Sequence, residues 1–570
     1  MNKKLIIVAI TCLSLLTGCV KNFDPQDSFV TKKQVADAPN AFNDLTDAIT
    51  NDLVGGFPYG GNSGRANDFG LSAMYIKMDV SGQDMLPGYL NWWDAYYTVS
   101  WLGPTTANAQ VPWTYFYGWI KSCNTVIGLV GDNEPAEHQK AGLGIAHTMR
   151  AYYYWYLAQM FVNEPYSKNP EAITVPILTE KTSKEELTKN PRATYKDICA
   201  FMIADLDKAE NLLKDYKRST KEMPDLSVVY GMKARVYLLM CDWSNAEKYA
   251  KLAQKGYTLM TGEQYTDRNT GFNTPNDAWM LCMTYKPTDP AIIENDGDTS
   301  WGSHMMLEID PVKNQCGYAS NYGQPQVIDR HLYETMPESD ARKLCFVDFK
   351  INDLQTVDEQ VNALKKYSDY PTHLFATGVA TWGEKKDAEG KDLPDEQQRT
   401  TKVGGLSLKF RVAGGAEGRF NQYKAYVASI PMMRVEEMHL IEAEAAGMQN
   451  EAKGIELLTK FAKTRDANFT YGTHNEDYYG NNSAFQNEIW WQRRVEFWGE
   501  GLSMFDIKRF GKGIIRSYKN TNHHDGYRWN MNTTPDWMNF CIVDTETNYN
   551  PNKNNPAPSH VNENDPEFTF

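Results

Sequence analysis

Cysteine is scarce, with nine in 570 residues. Two of these, Cys12 and Cys19, fall in the first twenty residues, which leaves Cys123, Cys199, Cys241, Cys282, Cys316, Cys345 and Cys541. The remainder is odd, and no Cys-x-x-Cys or Cys/His grouping has zinc spacing, so neither a disulfide framework nor a structural zinc site is indicated. Most of these thiols lie in apolar helical stretches and read as small buried hydrophobes; Cys316 stands apart in a Gly/Asn/Tyr loop. Basic runs are also missing. With 58 Lys and Arg against 72 Asp and Glu, the net charge is −14, which argues against nucleic acid or an anionic membrane as the main partner. Past the N-terminus no apolar run reaches the roughly 18 residues of a membrane span. The chain also lacks Gly-x-Ser-x-Gly, His-Glu-x-x-His and a phosphate-cradling glycine loop, so the common nucleophile, metalloprotease and nucleotide signatures are absent.

The opening residues are a targeting segment. Lys3 and Lys4 precede an apolar run from Leu5 to Leu16, and Leu16-Thr17-Gly18-Cys19 is a lipobox. Residues 1–18 are expected to be a lipoprotein signal peptide, Cys19 the lipidated (palmitate-bearing) terminus, and 19–39 a tether; a cleaved signal with a chance cysteine is the alternative. Beyond it, apolar residues recur at three- and four-residue steps. Trp113, Tyr117, Ile120 and Ile127 form one such face, Met149, Tyr152, Tyr153, Tyr156 and Met160 another, and Ile198, Met202, Leu206 and Ala209 a third. Small residues at Ala234, Ala246, Ala250 and Ala253 around an Asp242-Trp243 turn permit close helix approach. The nine-residue step from Tyr237 to Ala246 recurs from Ala443 to Ala452. The expected fold is mostly α, a tetratricopeptide-like helical-hairpin scaffold with a long irregular, loop-rich region carrying the ligand site. A single domain is expected over 40–570, with helical scaffold at 40–54, 113–260 and 425–520. Loop-rich parts are expected at 57–110 and 261–422, with a short strand at 405–412, and an irregular tail at 533–570.

The segment 492–511 joins the argument to a family. Its charges alternate among aromatics, and Gly499 and Gly501 break it into helix, bend and helix. It resembles the C-terminal signature of the SusD/RagB family, Glu-Arg-Arg-x-Glu-Leu-x-x-Glu-Gly-x-Arg-x-x-Asp-Leu-x-Arg-x-Gly, with Arg493, Arg494, Glu496, Glu500, Gly501, Asp506, Arg509 and Gly511 in register. Gln492 replaces the leading acid and Ser503 a basic residue. The stretches 149–165 and 434–445 match two further family motifs. The resemblance implies a buried structural role for the signature. It further implies a non-catalytic, lipid-anchored protein on the outer face of an outer membrane, which captures oligosaccharide or polysaccharide for a SusC-like TonB-dependent barrel transporter, without cofactor or metal. Length and overall cast resemble a fructan (levan) locus member. A peptide-binding RagB-like member would share the same scaffold, and a glycoside hydrolase is the more distant alternative.

Residues with possible chemistry of their own have plainer readings. Glu437 and Glu444 lie two turns apart on one helical face, so pairing with Arg434, Arg465, Arg493 or Arg494 is expected rather than a glycosidase pair. Glu436-x-x-His439 is half of a di-iron pattern and reads as a surface face. Asn295-Asp296-Gly297-Asp298 lacks the spacing of a calcium loop, and His523-His524-Asp525 reads as an exposed loop. What remains is aromatic residues crowded into loops: Tyr89, Trp92, Trp93, Tyr96, Tyr97 and Trp101 in one, Trp301, Tyr318 and Tyr322 in another. Sugar rings stack on such planes while polar side chains take their hydroxyls. By their order along the chain, these loops correspond to the regions that supply the ligand site in relatives. The candidate ligand residues are therefore Trp101, Trp92, Trp93, Asp84, Cys316, Tyr318 and Tyr322.

Overall fold

A computed structural model describes residues 32–56, 65–90, 94–354, 356–375, 403–475, 477–550 and 552–570. Cys19, Trp92 and Trp93 lie outside them, as does the tether up to residue 31.

The frame is a succession of helical hairpins. Ala107–Val130 packs on Glu137–Met160, which packs on Tyr195–Leu212; Leu226–Leu239 pairs with Trp243–Ala253, and Val435–Gln449 with Glu451–Ala462. Polar caps set several of the boundaries. The Thr194, Asp225, Asp242 and Asn450 side chains accept from first-turn N–H groups that would otherwise be orphaned. The small residues behave as their spacing predicts: Ala234, Ala246, Ala250, Ala253 and Ala443 are fully buried. They let Trp243–Ala253 lie against Val435–Gln449 and thereby join the two halves of the scaffold.

Two elements correct the loop assignment. Leu71–Val80 is a helix inside the segment read as irregular, and all ten of its residues are buried. A helix enclosed on every side has no polar face and so shows no period. Its two charges are answered locally. Lys77 pairs with Asp68, and Asp79 accepts from the backbone N–H groups of Gly501 and Ser503 at 3.1 and 3.4 Å. The second correction is a ladder. Trp279–Thr284 runs antiparallel to Ser429–Arg434 with Trp279 opposite Arg434 and Thr284 opposite Ser429, so the long excursion leaves and re-enters the frame at one place.

A further antiparallel pair, Met85–Pro87 with Gln326–Ile328, ties the first loop-rich part to the second. The strand expected at 405–412 is reduced to single bridges at Leu406 and Ser407. Alternation misled there because both faces are interior. Lys409 turns inward to donate to the carbonyls of Glu496 and Trp498, each at 2.9 Å, and to Glu500 at 2.6 Å. The tail, expected to wrap the surface, first contributes Trp537, Met538, Phe540 and Ile542 to the core.

Candidate functional site

The signature forms two helices, Ala484–Glu496 and Ser503–Phe510, on either side of a bend at Gly499 and Gly501. Glu496 sits at the centre, accepting from Arg465 at 3.0 Å, Arg434 at 3.1 Å and Arg342 at 3.3 Å. Burial works to raise its carboxyl pKa, but the three guanidinium groups outweigh that and hold it well below the usual range. Arg434 also holds Glu500 and Glu436 at 2.9 Å each. Arg493 and Arg509 flank Asp506, both at 2.7 Å. Gln492, standing where the family has an acid, still accepts from Arg342 at 3.0 Å.

Several expected partners are corrected here. Glu437 pairs with Arg235 at 2.6 Å, and Glu444 with Arg509, rather than with the arginines nearer in sequence. Glu436 is wholly buried rather than on a surface face. His523 is interior as well, with Nδ1 2.9 Å from the Tyr97 hydroxyl and Nε2 3.1 Å from the Gln83 carbonyl. Among the described residues no cluster of His, Cys, Asp or Glu could hold a metal ion, and no helix is long and apolar enough to cross a membrane.

The candidate ligand residues divide into buried and exposed. Asp84 is buried, with both carboxylate oxygens taken by Arg494, and so belongs to the signature network. Cys316 is fully enclosed, and burial pushes its thiol up to about 12; it lies beneath the loop instead of on it. Tyr96, Tyr97 and Trp301 are likewise core. Trp101 is the opposite case, 78% exposed with φ +56°, in a conformation that non-glycine residues seldom adopt. The Asn108 amide holds its carbonyl at 2.9 Å.

Tyr318 and Tyr322 come together. Tyr318 lies flat on His304 (centroids 4.7 Å apart, 3° between planes), His304 lies on Phe69 at 5.2 Å, and Tyr322 leans on Tyr318 at 5.1 Å. Burial lowers the His304 pKa to about 3, so the stack is uncharged at neutral pH. The Met85–Pro87 ladder joins a further ring-bearing segment to this loop: Gly88 N–H donates to the Pro325 carbonyl at 2.7 Å, and Tyr89 follows it, 51% exposed. Beside these rings Gln324 Oε1 and both polar atoms of the Gln326 amide are buried without hydrogen-bond partners. Asn163 and Asn482 carry unfilled amide oxygens in the same way, and water commonly completes such buried sets. Nothing in the sequence pattern singled these glutamines out; their adjacency to the aromatic loop was the available signal.

A cleft of about 480 Å³ lies between 117–129 and 178–187, and another of about 520 Å³ lies along 177–191. The polar floor of the first is already used, since Arg150 donates to Asn124 and Glu180, both at 2.7 Å. Tyr117, its one aromatic, has its hydroxyl on the Pro176 carbonyl at 2.7 Å, and the second has no aromatic lining, so both lack the exposed rings of the tyrosine site.

Two family models match this chain. One, for SusD-like proteins, described as "Starch-binding associating with outer membrane", matches residues 58–238; the other, for the SusD (SusD/RagB) family, matches 355–563. The chain belongs to the SusD/RagB family. Its fold recurs in a SusD-like carbohydrate binding protein from Bacteroides vulgatus, with 19% identity and a TM-score of 0.65 over 90% of this chain and 96% of that one. A SusD superfamily protein from Bacteroides thetaiotaomicron is similar at 17% identity and a TM-score of 0.64, over 91% of this chain and all of that one (100%). Surface glycan-binding protein A from Bacteroides thetaiotaomicron, solved in complex with laminarihexaose, aligns at 17% identity and a TM-score of 0.59, over 89% and 97% of the two chains. No curated protein matches the chain significantly. Within the SusD family frame, the signature network is buried in ion pairs, whereas Tyr89, Tyr322 and Trp101 are among the rings that the chain leaves on its surface.

Proposed function

We propose that this SusD-family chain is a non-catalytic glycan-binding lipoprotein of the outer membrane, anchored by acyl chains at Cys19. In this reading it captures oligosaccharide or polysaccharide at the cell surface and passes it to a SusC-like TonB-dependent barrel. The observation that carries the proposal is the group of rings that these loops present: exposed Tyr89 and Tyr322, with half-buried Tyr318 held between Tyr322 and His304, and the amides of Gln324 and Gln326 close by in the chain. Rings present a flat face to sugar C–H groups, and amides give and accept hydrogen bonds from hydroxyls. Trp101 supplies a second platform at the other end of the same loop. The carboxylates that could serve hydrolysis, Glu437 and Glu444, are buried in arginine pairs, which supports a binder over a hydrolase. Fructan is the polysaccharide class we put first.

Isothermal titration of the soluble protein lacking Cys19, against fructans, starch, laminarin, mannans, xylans and mixed peptides, tests this. Heat with one polysaccharide class is expected. Heat from peptides with silence from every sugar would replace the reading with a peptide-binding one.

A further inference from the structure

Beyond Tyr322 the surface carries two more open rings, Tyr423 at 43% and Phe420 at 41% exposure, on a segment far along the chain. We propose that they form an outer platform continuous with the tyrosine site, so that the protein grips a glycan chain over several sugar units instead of at one ring pair. The inference rests on the glycan-binding reading and adds the length of ligand that the site takes.

Three observations carry it. The first is a shared anchor. The Tyr423 hydroxyl donates to Asp296 at 3.0 Å. The Tyr322 hydroxyl donates to the Gln315 carbonyl at 3.3 Å and lies near Asp298, two residues on from Asp296; burial and the Asp298 carboxylate together raise the phenol pKa. Both phenols thus sit against one turn and stay partly exposed. The second is what lies underneath. Tyr426 is fully buried, and Gly297, Gly302 and Gly317 all pack so closely on it that a side chain at any of them would strike it. The turn, the 316–322 loop and the 420–426 segment are therefore packed on one buried ring. The third is backbone strain. Asn295, Asp296 and Gln315 adopt φ of +48°, +56° and +52°, and such conformations persist where surrounding structure holds them for a purpose.

The chemistry around the rings favours a hydroxyl-rich ligand over a protein. Exposed Asn295, Asp296 and Gln315 separate the rings, so the patch is aromatic planes set among hydrogen-bonding groups and not a continuous apolar surface. Phe420 is held by Lys313, with Nζ 4.2 Å from the ring centroid, and by an edge contact with His373 at 5.8 Å, and still stays 41% exposed.

The test uses the soluble protein and an oligosaccharide ladder, from disaccharide to polymer, of whichever polysaccharide class binds in titration. Tyr423→Ala and Phe420→Ala are expected to lower affinity for the longer members about two- to tenfold each and to leave di- and trisaccharide affinity unchanged. Tyr318→Ala is expected to weaken every length. Both outer rings are well exposed, and unchanged melting temperatures check that the variants fold. Equal affinity of variants and parent for all lengths, or an equal loss at every length, overturns the outer platform while the glycan reading stands. Absence of binding by the unaltered protein at any length overturns both.

Discussion

Three arginines converge on fully buried Glu496, and the consequence is asymmetric. Removing the carboxylate takes a shared acid from three buried cations, which keep only Asp340, Glu436 and Glu500 between them, so Glu496→Gln is expected to cost about 3–5 kcal/mol in chemical denaturation. Asp79 is the opposite kind of buried acid. Among the described residues no cation pairs with it, and burial raises its pKa from 3.8 to about 7 against the pull of the Gly501 and Ser503 N–H groups. The native state therefore holds a proton here that the unfolded chain releases. Asp79 contributes no penalty below about pH 4 and a growing one up to about pH 7, on the order of a few kcal/mol. Asp79→Asn should accordingly gain stability relative to the parent as pH rises from 4 to 8; a constant difference across that range would count against the shift. Trp101, 78% exposed, belongs to the surface: Trp101→Ala should weaken glycan binding and move unfolding free energy by less than about 0.5 kcal/mol. At this scale the sequence announced that the signature charges would be buried and paired, because alternating charges among aromatics leave no other economical arrangement. It did not announce the partners. Arg235 and Arg509 reach Glu437 and Glu444 from helices whose positions are fixed only by packing, and Asp84 and Cys316 looked accessible because loop residues usually are.

Among the elements, helices with a repeated side-chain type were legible and those without one were not. Glu137–Met160, buried throughout from Gly142, was found through its aromatic repeat; Leu71–Val80, also buried all round, has no such repeat. Residues 405–412 alternate as a strand would, yet the polar members point into carboxylates and the ladder is left to two bridges. The bend in the signature was predictable because glycine is its mark. Gly501 has φ +72°, and a Cβ there would lie 2.5 Å from Tyr75 Cδ1 and 2.9 Å from its Cα. Gly501→Ala is expected to destabilise by at least about 1–3 kcal/mol through strain and this collision, seen as a lowered denaturation midpoint. Loop geometry, which decides the candidate ligand site, follows from long-range pairing such as Met85–Pro87 with Gln326–Ile328 and has no local period to read.

The molecule as a whole is stitched from both ends of the chain. Arg516 donates to the carbonyls of Val80, Ser81, Gly82 and Tyr97 at 2.7–3.2 Å, and Arg494 holds Asp84, so the Leu71–Val80 helix and the C-terminal signature share one set of contacts. Native-state hydrogen exchange should find these two segments opening together with a common free energy; independent opening would show that they are separate units. The ladder between Trp279–Thr284 and Ser429–Arg434 makes the excursion look like a detachable insert, yet it returns two cations to the frame, Arg342 at Glu496 and Lys409 at Glu500. For anyone wishing to graft a relative's binding loops onto this frame, the ladder marks the outer seam, but the transplant must bring its own equivalents of Arg342 and Lys409. A graft without them would leave Glu496 and Glu500 each one buried cation short, with only Arg434 and Arg465 to answer them, and would lose stability before its specificity could be compared.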